Sequence, residues 1–271
     1  MKTERSSRPS AVLICHEGAT LNHEGIARWL ASFSDLRGIV VLRETLAQRR
    51  QRVRREVRRL GVLRFADVVA MRAYYAIVLA RGDRRWIAKQ LESLRSRYPD
   101  VPPGIPTLIC DSPNRLEVKK FIEDIAPDFV LARCKQLIRK EVFSIPRHGT
   151  FVFHPGICPE YRNAHGCFWA LANDDLDRVG MTLLRIDPGV DTGPAFGYFS
   201  YRFDEVRESH IVIQLRVVFD NLDALRERLM IILRMEAEPM DSQGRSSAVW
   251  GQPWLTRYLR WRWRVRRRVV S

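Results

Sequence analysis

The chain has 271 residues, 46% of them hydrophobic, and carries 46 Lys and Arg against 31 Asp and Glu, a formal net charge of +15. That is enough apolar chain to bury a full core, which excludes a disordered tail, and no run of about 18 uncharged apolar residues exists to span a membrane. Five cysteines (Cys15, Cys110, Cys134, Cys158, Cys167) are odd in number and include no CxxC pair. Reduced thiols in a cytoplasmic protein are therefore expected, with no metal site.

The charge is unevenly placed. Residues 49–97 hold fifteen Lys and Arg against four Asp and Glu, and residues 257–268 hold seven arginines and no acid, leaving −3 for the remainder. The basicity belongs to two added features, and it implies an anionic partner surface.

In chain order, MKTERSSRPS is basic, but the apolar run that follows, AVLIC at 11–15, is too short for a signal-peptide core and reads as a first buried strand. GIVVL at 38–42 reads as a second. Between them, Ile26, Trp29, Leu30 and Phe33 share one helix face, so the unit is βαβ, the opening of a doubly wound sheet. The first turn lacks GxGxxG, so no dinucleotide site is indicated. His16 and His23 flank it, either as site elements or as ordinary loop histidines.

Residues 44–98 depart from the alternation. They read as an inserted helical hairpin: a densely basic helix ending in GVLRF, an apolar one beginning ADVVAMRAYY, then DRRWIAKQLESLRSRYP. Two readings stay open, a peripheral membrane element on an anionic surface, or a hairpin packed on the core with solvated arginines. Regular order resumes with a strand at 106–110. Asp111-Ser-Pro is expected to cap a helix with Leu116, Phe121 and Ile122 inward. Further strands are predicted at 129–132, 150–154 and 181–186, a β-run at 195–203, and a long amphipathic helix or helix pair within 204–235. The closing stretch interleaves Trp250, Trp254, Trp261 and Trp263 with arginines, which suits membrane docking, nucleic-acid stacking or packing on its own domain.

The stretch 149–193 concentrates the chemistry. A strand delivers His154, a Pro/Gly turn and an aromatic helix follow, and a second strand leads into a glycine-punctuated loop carrying Asp191. An imidazole and a carboxylate on loops after two strands can form a proton-transfer pair. Pro127-Asp128, His154-Pro155, Pro159-Glu160-Tyr161-Arg162, Trp169-Ala170, Gly180-Met181-Thr182 and Asp187-Pro188-Gly189-Val190-Asp191-Thr192-Gly193 resemble, in order, the motifs of the formyltransferase catalytic domain. That group includes the glycinamide ribonucleotide, methionyl-tRNA and sugar N-formyltransferases, and the likeness covers about residues 106–197.

The resemblance implies an α/β fold with a mainly parallel, Rossmann-like sheet. It also implies transfer of a formyl group from 10-formyltetrahydrofolate, as donor substrate, to an amine. His154 and Asp191 would be catalytic, and Leu131, Ala132, Arg133, Leu137, Asp187, Gly189 and Val190 would bind the donor. The family's asparagine two residues before the histidine is Val152 here, which has no donor to offer an oxyanion. Asn163 and His165 are candidate replacement donors.

The domain reading is a catalytic domain at 10–240, containing the 44–98 hairpin, and a basic Trp/Arg-rich tail at 241–271. The leading acceptor is an amino sugar or another small or surface-bound amine. A tRNA is disfavoured by the absence of a following β-barrel. The alternative is a catalytically impaired binding protein of the same fold, recruited to an anionic membrane or nucleic acid.

Overall fold

Short apolar strands alternating with amphipathic helices force a layered arrangement, because a strand buried on both faces needs helices above and below it. The computed structural model describes residues 8–270; the first seven residues of the basic N-terminal stretch, and Ser271 at the end of the tail, lie outside the described residues. The first half runs β1 (Ser10–His16), α1 (Ile26–Phe33), β2 (Asp35–Leu42), α2 (Leu46–Leu60), α3 (Val62–Tyr74), α4 (Ala80–Arg97), β3 (Thr107–Cys110), α5 (Leu116–Ile125) and β4 (Phe129–Arg133). It continues with α6 (Lys140–Phe143), β5 (Thr150–His154), β6 (Arg162–Asn163), α7 (Gly166–Ala172), β7 (Met181–Arg185), β8 (Ala195–Phe199), α8 (His210–Phe219), α9 (Leu222–Leu233), β9 (Val249–Trp250) and α10 (Leu255–Val270).

Seven strands form one sheet in the order β3-β2-β1-β4-β5-β7-β8. The first five are parallel, and β7 and β8 close the edge antiparallel. This is the doubly wound, mainly parallel sheet expected from the sequence. Leu13, Val41, Leu131 and Phe153 face one side, under Trp29 and Leu30 of α1 and Ile213 and Leu225 of α8 and α9. Val12, Ile14, Val40 and Ala132 face the other, under Val118 and Ile122 of α5 and Val142 of α6. Strand order reverses between β1 and β4, so the crevice outside their carboxyl ends is where such a sheet binds ligands.

Three local expectations are corrected. The basic helix ends at Gly61, whose φ of 75° falls in the region that favours glycine, and not after Phe65. From Val62 the path stays helical through a wide turn at Tyr75–Leu79 to Arg97, so the apolar and following segments are one rod. The change in composition at residue 65 marks no backbone break. Asp111 does not cap α5, which begins at Leu116 with no side-chain cap; it takes the Arg115 guanidinium at 2.7 and 2.9 Å, and Leu116 points outward. The β-run after Ala195 ends at Phe199.

The tail lies on the domain. Trp250 and Trp254 are half-buried and Trp261 is fully buried, its Nε1 donating to Glu205 at 2.6 Å, while Trp263 stays 55% exposed. Tyr258 packs on Tyr74 with ring centroids 5.4 Å apart, and the Thr256 N–H donates to Asp67 of α3 at 3.0 Å. Among the described residues no helix is long and apolar enough to cross a membrane. Replacing Trp261 with Ala should lower the unfolding free energy by about 3–5 kcal/mol, from the cavity and the abandoned hydrogen bond. Urea titration checks this, and a loss below about 1 kcal/mol would show the tail to be dispensable to the fold.

Candidate active site

Strand alternation in β5 sends Phe151 and Phe153 into the core and turns Val152 and His154 to the other face. His154, at the strand's carboxyl end, is 5% exposed. Its Nε2 lies 2.7 Å from the Tyr161 carbonyl, and a carbonyl only accepts, so Nε2 carries a hydrogen. The other edge, Nδ1, faces Asp191 Oδ2 at 3.3 Å.

Asp191 is held from several sides. Its Oδ2 also accepts the Asn163 N–H at 2.7 Å, and its backbone is left-handed, with φ 50°. Asp187 braces the same loop by accepting from Gly189 N–H at 3.0 Å and Thr192 Oγ1 at 2.8 Å. Arg162 donates to the Val190 carbonyl at 3.1 Å. A Cβ on Gly193 would stand 1.9 Å from the Arg185 carbonyl, and one on Gly189 1.9 Å from Thr192 Oγ1, so neither position admits a side chain without moving the loop.

The loop after His154 is equally tied. Thr182 Oγ1 donates to the Gly156 carbonyl at 2.7 Å and accepts from Cys158 N–H at 3.0 Å. Tyr161 donates to Asp175 at 2.9 Å, and Glu160 pairs with Arg245 at 2.6 Å. Trp250 stacks on Trp169 and Tyr161, with centroids 4.7 and 5.7 Å away, and donates to the Glu160 carbonyl at 2.8 Å. The motif residues around His154 and Asp191 thus act largely as scaffolding for those two. Sequence reasoning missed the Tyr161 carbonyl, the Arg162 brace, the Thr182 hydroxyl and Trp250. Tyr161, Arg162 and Thr182 stood inside the quoted motifs, but side-chain identity does not signal a backbone acceptor.

The other predicted residues fall in two groups. Asn163 reaches the pair through its backbone, while its side-chain amide bonds the Trp250 carbonyl. His165 caps α7 in a left-handed conformation and bonds Gln252 of the tail. The Asn163 amide is therefore committed to the tail and is not free to replace the missing amide in this arrangement, while Nδ1 of His165 is buried without a hydrogen-bond partner. Val152, like Tyr198, packs against Cys158, Leu184 and Ala195, an apolar niche.

Leu131 and Ala132 lie inside the ladder, paired with Phe151 and Val152, so their side chains belong to the core. Arg133 turns over the sheet end, bonding the Phe153 carbonyl and, through Nε at 3.0 Å, Asn22. Burial lowers its guanidinium to about 10. Leu137 is exposed on the loop beyond. His16 accepts the Lys135 N–H at 3.0 Å, tying the first turn to this loop, and His23 lies on that turn. Burial pushes the Cys134 and Cys158 thiols up to about 11 and about 12, which keeps both protonated and unsuited to act as nucleophiles. Among the described residues no group of three or more His, Cys, Asp or Glu is placed to hold a metal ion.

Two buried histidines carry a pH dependence. Burial, followed by the charges of Lys135 and Arg72, pushes His165 down to about 4. Burial pushes His210 down to about 3, between the rings of Tyr75, Phe168 and Tyr258. Both are neutral when folded and take up a proton near pH 6.5 once unfolded, so the unfolded state gains protons first as pH falls. Their stabilisation is complete above about pH 6.5 and is lost towards pH 4 and pH 3, each contributing a slope of up to about 1.4 kcal/mol per pH unit. Urea unfolding across pH 7 to 4 should show this, and His210→Phe should flatten it; an unchanged slope would contradict the assignment.

Residues 110–202 match the family model for formyl transferase. Methionyl-tRNA formyltransferase of Thermus thermophilus is 36% identical over 105 residues, 37% of this chain and 33% of that protein. The Thermotoga neapolitana enzyme of the same name is 33% identical over 92 residues, 34% of this chain and 29% of that protein. The chain thus matches about a third of the length of these curated relatives. Phosphoribosylglycinamide formyltransferase from Anaplasma phagocytophilum shares the fold at TM-score 0.54 and 13% identity, covering 91% of this chain and 100% of that one. A sugar N-formyltransferase from Shewanella sp FDAARGOS_354 does so at 0.53 and 15% identity, covering 89% and 76%. The segment that matches the formyl transferase model holds both His154 and Asp191.

Proposed function

We infer that the protein is a folate-dependent formyltransferase, moving a formyl group from 10-formyltetrahydrofolate to an amine. The observation that carries this reading is the 3.3 Å contact between His154 and Asp191 inside the matched segment. A relative named for the donor, the mouse cytosolic 10-formyltetrahydrofolate dehydrogenase, is 41% identical over 64 residues, 24% of this chain and 7% of that protein. The alternative of an impaired binding protein has only Val152 in its favour, and the assembled, braced pair weighs against it.

The chemistry assigns the two residues distinct work. An amine attacking a formyl carbon builds negative charge on the formyl oxygen and positive charge on the incoming nitrogen. Asp191 accepts the proton the ammonium must lose, directly or through water, while His154 faces the oxyanion; as the tetrahedral intermediate collapses, the bond from the formyl carbon to the donor nitrogen breaks and that nitrogen takes up the proton. In the arrangement described, Nε2 is bonded to the Tyr161 carbonyl, so donation from that edge requires this bond to exchange for one to substrate. With Val152 apolar and the Asn163 amide engaged, the oxyanion rests on His154 without a second side-chain donor. The loss of one such donor slows turnover by about 10²–10³. Arg133 and the Asp187–Val190 loop form the donor side. The acceptor is a small or surface-bound amine, in the first instance an amino sugar.

Calorimetric titration with 5-formyltetrahydrofolate, a stable donor analogue, tests the reading. Micromolar binding is expected, weakened by Asp191→Ala and by His154→Ala. Formyl transfer, screened over amino sugars beside glycinamide ribonucleotide and methionyl-tRNA, should fall by about 10²–10⁴ in either variant. No binding at millimolar analogue would overturn folate as the donor.

A further inference from the structure

Residues 46–81 carry a surface that formyl transfer at His154 does not use. In α2 no residue is buried, and Arg49, Arg50, Arg54, Arg55 and Arg58 have no ion pair among the described residues. Arg52 and Arg59 are answered by Glu44 and Glu56. Gly61 folds this helix against α3. One face of α3 is spoken for: Val68 and Met71 are buried, Arg64 lies over Trp254, and Asp67 holds Thr256. The opposite face is aliphatic and bare. Val62 is 75% exposed, Leu63 89% and Ile77 82%, and Val69 and Val78 are exposed with them. Positions 62, 66, 69, 73 and 77 recur at helical spacing, so with Ala66 and Ala73 they form one apolar stripe, on the rod against which the arginine-bearing α2 packs.

We propose that this α2–α3 surface docks the protein on an anionic lipid bilayer, the stripe entering the headgroup boundary and the arginines meeting lipid phosphates. Charge complementarity selects this occupant. A second copy of the chain would set one arginine row against another, and the only acids in residues 46–81 are already taken, Glu56 by Arg59 and Asp67 by Thr256. A nucleic acid would satisfy the arginines but leave the stripe in water, because base stacking needs aromatic side chains and the stripe, with Leu63 beside it, offers only Val, Ile, Ala and Leu. A bilayer answers both at once. The docking does not depend on the chemistry at His154; if both hold, the acceptor amine is one presented at a membrane surface.

Sedimentation of the full chain with phosphatidylglycerol/phosphatidylcholine vesicles, and with phosphatidylcholine alone, tests this. Binding is expected only with the anionic lipid. The Leu63→Asp, Ile77→Asp double variant should weaken it at least about tenfold, and each of Arg54→Glu and Arg55→Glu by about fivefold or more. These positions are exposed, and thermal melting verifies that the variants fold. Independently, Leu63→Cys carrying an environment-sensitive fluorophore should shift to the blue on anionic vesicles. Absence of vesicle binding overturns the proposal. So does binding indifferent to Leu63 and Ile77, or a dimer in light scattering that buries the label without lipid. Tight RNA binding that outcompetes the vesicles would assign the surface to nucleic acid instead.

Discussion

The Asp191 carboxylate sits where two loops from different parts of the sheet must meet, and its hydrogen bonds fix both. One oxygen faces His154 at the end of β5 and accepts the backbone N–H of Asn163 from the loop beyond. A carboxylate so placed is unfavourable unless its partners are held for it, since a half-buried charge needs donors to replace water. Much of the motif region does this holding. Asp187, Thr192 and Arg162 fix the loop that carries Asp191, and Thr182 and Tyr161 fix the turn after His154. One imidazole and one carboxylate are positioned by a larger number of structural groups.

The tail belongs to the same construction. Trp250 pairs through β9 with Asn163, stacks on Tyr161 and Trp169, and receives the Asn163 amide on its carbonyl. The strand segment that presents Asn163 to Asp191 is therefore shaped by residues nearly ninety positions later. Aromatic stacking of this kind adds to the area each ring buries, and it ties the orientation of the site to the docking of the tail. The arginines beyond Trp254 mostly flank this packing, with Arg264 donating to the carbonyls that end α7.

Basic charge is concentrated away from the pair. The +15 net charge resides in the α2–α4 region and in α10, while the sheet and its loops are close to balanced. Exposed arginines far from the His154–Asp191 contact are screened from it by salt over a Debye length of about 8–10 Å. Surface charge and site chemistry can thus serve separate ends in one chain.

The sequence by itself determined the alternation of strands and helices, and hence the doubly wound sheet, because periodicity and apolar runs are local properties. It also determined which imidazole and which carboxylate belong together, since His154 and Asp191 stand at strand ends inside ordered motifs. Strand β5 was read to its exact limits for the same local reason. The break at Gly61 was misplaced, because a left-handed residue ends a helix whatever the composition around it. Only the tertiary structure decided that Tyr161 offers its carbonyl to His154, that Asn163 contributes a backbone N–H while its amide goes to Trp250, and that Val152 fills an apolar niche. It likewise decided that three of the tail's four tryptophans turn inward. Those outcomes depend on contacts between residues far apart in the chain and on backbone groups, which every residue carries alike and no sequence pattern distinguishes.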